Sequence, residues 1–152
     1  MTDISTIYDA LVTRLTALYP SHKRITNPYV LNNNNDQFLA QGWGLATRDA
    51  ENTNRELSRR LSVRRNFDVV LTRRYFAKDL DLSKVNAAEK NLLEDLQLLI
   101  DSVEGTPDLS VTDGKYIVKY NFDSGITAAK DDRDDFLAII ANVSVEYFRT
   151  IP

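Results

Sequence analysis

Seven arginines, Arg55, Arg59, Arg60, Arg64, Arg65, Arg73 and Arg74, crowd into about twenty residues. The guanidinium group is the side chain best shaped for bidentate contact with phosphate or carboxylate. The stretch therefore points to binding: to a partner protein, or to nucleic acid without base selection. Base recognition needs a helix placed in a groove or a stacking platform of aromatics, and no such signature stands in the chain. The acidic counterpart is Asp131-Asp132-Arg133-Asp134-Asp135. A calcium loop would need alternating ligands, a turn glycine and a distal glutamate, so this run reads as a solvated loop or as a partner for the arginines of another copy. His22 is the sole histidine and cysteine is absent, which leaves zinc sites, thiol chemistry and catalytic triads short of members. His22 is expected in a surface loop. Glu89, Glu94 and Asp95 are assigned to the polar face of a helix. Gly42 and Gly44 flank Trp43 without the Lys-Ser/Thr of a phosphate loop, so they are read as making room beside the indole. The expectation is a protein that is not an enzyme and uses no cofactor or metal.

The arginines lie on a segment with the period of a strand. From Leu57 to Phe76 apolar and polar residues alternate without Gly or Pro, which would extend to about 65 Å. That is about three times a common strand, so part of it is expected to leave its own domain and be covered by another chain. Arg59, Arg65 and Arg73 fall on the otherwise apolar parity. There a lone subunit would have to bury a charge, whereas an oligomer could pair it with the acids of a neighbour. These three arginines, with Asp131, Asp132, Asp134 and Asp135, are the candidate subunit-interface residues. Arg60, Arg64 and Arg74 share the polar parity and are the candidates for facing a central channel with loose phosphate contacts.

The remaining elements follow from periodicity. Ile4, Ile7, Leu11, Leu15 and Leu18 mark one face of a helix, capped by Thr2 or Asp3 and followed by Pro20. Residues Ser21 to Phe38, with Asn32-Asn33-Asn34-Asn35-Asp36, read as a loop with a short extended piece near Tyr29 to Leu31. Gly42 to Arg48 reads as a strand that turns through Asp49 to Asn54 into the long one, forming a hairpin. Val85, Ala88, Leu92, Leu96, Leu99 and Val103, widened by Leu93 and Ile100, make a second helix between Ser83 and Gly105. Lys115 to Phe122 and Ala141 to Ile151 are the closing strands. Strands that cluster in pairs favour an α+β fold, a single domain over 1–152 with an antiparallel sheet of about four strands, both helices on one face and one long hairpin arm.

Composition adds limits. The formal charge of −3 gives no global attraction to nucleic acid or anionic lipid, and no apolar run reaches a membrane span. Asp3 stands where a secretory signal would be basic, so export by such a signal is not expected.

The amphipathic first helix, the Asn-rich connection, Gly42-Trp43-Gly44 leading into a hairpin, the second helix and the closing Val143-Ser144-Val145-Glu146-Tyr147 together resemble the tail terminator proteins of long-tailed bacteriophages. The likeness spans nearly the whole chain in element order. The segment from Lys23 to Gln41 is longer than in the smaller terminators. The resemblance implies a hexameric ring on the head-proximal end of the tail tube. That ring would stop tube polymerisation and receive the head connector, with the tube protein, the connector and transiently the DNA in the channel as partners. It also implies a place in the virion after assembly in the host cytoplasm. The other readings are a different neck or tail-completion protein and a nucleic-acid-binding module built on the arginine-rich strand.

Overall fold

The computed structural model describes residues 4–25, 28, 41–57, 60–75, 82–111, 114–130 and 135–150, with side chains left out at 50–57, 60–62, 75, 82–84, 110–111, 114–115, 128–130, 135 and 148–150. Helix α1 spans Ile4–Leu18 and helix α2 Leu82–Gly105. The strands are β1 (Lys23–Arg24), β2 (Gln41–Leu57), β3 (Arg60–Tyr75), β4 (Asp108–Val111), β5 (Gly114–Asp123), β6 (Thr127–Lys130) and β7 (Asp135–Thr150). The class is α+β, as expected, but the sheet has seven strands rather than about four. Its order is β1-β2-β3-β7-β5-β4, with β6 alongside β7, and β1 runs parallel to β2. The polar stretch from Asp49 to Asn54 does not turn; β2 continues through it to pair Leu57 with Arg60. Three register shifts between Thr47 and Leu57 absorb the side chains that suggested a turn.

The long strand β3 is paired on both edges: with β2, and with β7 in unbroken register from Arg60↔Thr150 to Tyr75↔Asp135. Its backbone finds partners within the chain on both edges, in β2 and β7, so cover by another chain, the expectation drawn from its length, is not required by its hydrogen bonding. Its length is matched by two strands that sequence reasoning made too short.

Alternation sorts the sheet into two faces. Val63, Phe67, Val69 and Leu71 of β3, with Ile139, Val143 and Val145 of β7, enter one core with Ile7, Leu11 and Leu15 of α1 and Leu92, Leu96 and Leu99 of α2. Both helices therefore cover the same face. Leu93, expected to widen the buried stripe, is 48% exposed. The last turn of α2 has no basic residue of its own. Arg14 of α1 supplies one, donating to the carbonyls of Ser102, at 2.5 Å, and of Thr106. A cation on the last carbonyls of a helix satisfies groups that lack intrahelical donors and complements the dipole.

The opposite face is partly covered by the chain after β1. Ile25 is buried against Val70 and Phe136, and its amide donates to the Trp43 carbonyl at 2.6 Å. Close approach of this segment to β2 is what Gly42 and Gly44 permit, on the face away from the indole. A Cβ at Gly44 would lie 3.1 Å from the Cβ atoms of Ile25 and Pro28, and one at Gly42 would lie 2.5 Å from Thr72 Oγ1. Thr72 is fully buried, so its hydroxyl has no open space to swing into. Gly42→Ala should therefore cost about 1–3 kcal/mol of unfolding free energy in urea titration. Thr72→Ala in the same chain should restore most of that loss.

Candidate functional site

Even-numbered positions of β3 and their β7 partners build the face that the helices leave uncovered. Arg64 stands opposite Glu146, Asn66 opposite Ser144, and Asp68 opposite Asn142. On the far side of β7 a register shift between Tyr120 and Phe122 places two residues of β5 against one of β7. A bulge of this kind brings consecutive side chains toward the same side. Both Asn121 and Phe122 thereby line a cavity of about 300 Å³ with Arg48, Asp49, Arg64, Asn66 and Asn142.

Asn142, only 3% exposed, fixes the floor of this cavity. Its Oδ1 accepts from Asn121 Nδ2 at 2.8 Å, and its Nδ2 donates to Asp68 Oδ1 at 3.3 Å and to the Phe67 carbonyl at 3.5 Å. Asp68 also holds Arg48 at 3.6 Å. The Arg64 guanidinium makes no hydrogen bond or ion pair with another described residue. The arrangement thus sets the guanidinium groups of Arg48 and Arg64 and an exposed aromatic, Phe122, beside the carboxylates of Asp49 and Asp68, a mixed polar surface suited to contact with a polar partner of either charge. Among the described residues no group of three or more metal-ligating side chains comes together.

A second cluster lies under the helices. Arg73 grips Asp95 of α2 in two parallel bonds, Nε to Oδ2 at 2.7 Å and Nη2 to Oδ1 at 2.8 Å. His22 Nε2 is 3.2 Å from the same Oδ2, and Tyr19 donates its hydroxyl to the Asp95 carbonyl at 2.5 Å. The rings of Tyr19 and His22 meet with centroids 4.8 Å apart, tilted by 49°. Two expectations are corrected here. His22 is not a surface loop residue, because its side chain is 7% exposed, and Asp95 is not solvated on a polar helix face, because its side chain is 4% exposed. The signal for Asp95 was present: it follows Leu92 by three positions and precedes Leu99 by four, so it sits on the buried stripe.

The other predicted residues divide as follows. Arg73 was assigned to a subunit interface because its charge falls on the apolar parity; the carboxylate it requires comes from its own α2, which removes that reason. Arg65 stands opposite Val145 and donates to the Arg48 carbonyl at 3.2 Å. Arg64 and Arg74 share the uncovered face, and Arg60 has the register of that face, paired with Thr150. Asp135 opens β7 opposite Tyr75 and Lys130. Arg59, Asp131, Asp132 and Asp134 lie outside the described residues, as does the extended piece expected at Tyr29 to Leu31. Sequence reasoning missed Asn121, Asn142 and Asp68, because the bulge and cross-strand register that unite them are not periodic signals.

A scan against models of known protein families finds no match to this chain, and a search of curated proteins finds none either. Among the described residues no helix is long and apolar enough to cross a membrane.

Breaking the buried pair from one side strands a charge, which typically costs about 3–5 kcal/mol. Asp95→Leu should show a loss of that size in urea unfolding, and Arg73→Met combined with Asp95→Leu should be much closer to the parent.

Tyr19 and Tyr120 make a second expectation. Burial first, and the Asp95 charge second, raise the Tyr19 pKa well above its ordinary value. Burial, then a 2.5 Å hydrogen bond donated to Asp123, raises Tyr120 to about 12. A group whose folded pKa is raised contributes stability that is full below the unfolded value, near 10, and is lost as pH climbs through the folded one. Urea midpoints should fall between pH 10 and 12, and Tyr120→Phe should make that fall shallower.

Proposed function

We propose that this protein is a structural subunit of a long-tailed bacteriophage. Assembled in the host cytoplasm, it forms a hexameric ring on the head-proximal end of the tail tube. The ring ends tube polymerisation by matching the last tube ring on one side and refusing another tube subunit on the other, where it receives the head connector.

The observation that carries this reading is the unlikeness of the two sides of the sheet. One side is closed by helices whose outer surface bears Glu89, Glu94 and Glu104, all exposed. The other is open over the cavity of Arg48, Arg64 and the asparagines. A subunit in a closed ring must carry two different, mutually complementary surfaces, since each copy meets its neighbours head to tail. The order of helix, long hairpin, helix and closing strands supports the same reading, because it is the pattern on which the resemblance to tail terminators rests. Arg60, Arg64 and Arg74 share one face or register, which also fits loose contact with phosphates should that face line a channel.

Electron microscopy of the purified protein, alone and with tail tubes, should show rings with an axial opening, seated at the tube end nearest the head. Particles assembled without the protein should carry tails of uncontrolled length. Tails of normal length in its absence would sink the proposal.

A further inference from the structure

The cavity on the uncovered face holds charges of both signs and is dominated by neither. Asp49 and Asp68 stand there beside Arg48 and Arg64, with Glu146 and Lys119 on the same face. Arg48 and Asp68 already offset each other at 3.6 Å. A partner of either sign can touch this surface, but a small ion inside the cavity meets its own sign as well as its opposite, Asp49 against an anion and Arg64 against a cation. Net charge is therefore not what the cavity selects.

Its hydrogen-bonding capacity is more specific. Asn142 is fully used, accepting from Asn121 and donating to Asp68 and to the Phe67 carbonyl, so it is a fixed floor rather than a contact. Asn121 gives its Nδ2 to this network, which leaves its Oδ1 without a described donor. The Asp49 carboxylate, the Asn66 amide and the Arg64 guanidinium make no hydrogen bond or ion pair with another described residue. Donors and acceptors are thus interleaved: Arg64 gives, Asp49 and Asn121 take, and Asn66 does both. The group that matches such a mixture from any direction is the hydroxyl, which gives and takes at one atom. Beside these groups the bulge of β5 sets Phe122, 58% exposed, as an apolar surface lining the same cavity. A neutral molecule with hydroxyls around its rim and C–H bonds on its face satisfies both.

We infer that the cavity is a saccharide site, in which a neutral mono- or disaccharide covers Phe122 with its C–H face and engages Asn66, Arg64, Asp49 and the Asn121 Oδ1 with its hydroxyls. The volume of about 300 Å³ suits a ligand of that size, at the small end of the ~300–1,000 Å³ typical of small-molecule cavities. A polypeptide segment fits less well. It is recognised along a strand edge, by a row of backbone groups, whereas the groups here are spread across β2, β3, β7 and β5. The inference stands apart from the ring reading, because every group it uses belongs to one subunit.

Saturation-transfer NMR on the full chain, with glucose, galactose and N-acetylglucosamine as probes in turn, tests it. Saturable transfer to the C–H protons of at least one sugar is expected, with a dissociation constant in the millimolar range that added salt leaves unchanged, since no net charge is neutralised. Phe122→Ala, at an exposed position, should keep the parent circular dichroism and weaken that binding about tenfold, the size of one lost ring contact. Asn66→Ala should weaken it several-fold. Transfer to none of the three sugars at tens of millimolar would overturn the inference, as would transfer that both variants leave intact. Displacement of the sugar by equimolar inorganic phosphate, or its loss in salt, would mark an anion site instead and overturn it equally.

Discussion

Everything in the molecule is referred to β3, a strand paired on both edges, with β7 along its whole length and with β2 across three register shifts. Its alternation decides which residues meet the helices and which meet the open face, and a slip of one position would exchange the two sets. Val63, Phe67, Val69 and Leu71 hold the helix side. Arg64, Asn66 and Asp68 are thereby committed to the other. The single charged residue on the helix-side parity near the far end, Arg73, is tolerated because Asp95 reaches it with both carboxylate oxygens. That pair also fixes register, since moving β3 by one residue would bury Thr72 or Arg74 opposite Asp95 instead.

The two glycines of β2 show how a local sequence feature serves a distant constraint. They sit in a strand interior, where glycine is normally unfavourable. Their missing side chains leave room for Ile25 and Pro28 to lie against the sheet. That contact covers one half of the second face with apolar atoms and leaves the other half, around Asn142, polar and open. The division of this face into a sealed half and an open half is what makes a cavity of definite shape rather than a flat polar surface.

Periodicity made the helices legible. The stripes of Ile7, Leu11 and Leu15, and of Leu92, Leu96 and Leu99, are buried as their spacing predicts. The α+β class followed from the pairing of strands along the chain. Strand ends were less legible: Asp49 to Asn54 has turn composition, yet β2 bulges through it, and β7 begins at Asp135, six residues before the alternation was recognised. The short strands β4 and β6 carry too few residues for a period. Of the candidate site, Arg64 and Arg74 were placed on the right parity. The amide network of Asn121 and Asn142 was invisible because it depends on which strands become neighbours, and the Asp95 cluster was misjudged because a carboxylate was read by its usual company rather than by its position in the stripe.

The position of β7 has a consequence for synthesis. It is the last described strand in sequence, yet it lies inside the sheet between β3 and β5. Until it leaves the ribosome, β3 presents a long naked edge and the β4–β5 pair has nothing to join, so the nascent chain holds two unfinished half-sheets. Pairings that span some seventy residues are slow to form and vulnerable while they wait. Folding of this sheet is therefore deferred until β7 has been made, and chains cut short before β7 would be sticky fragments rather than smaller working subunits.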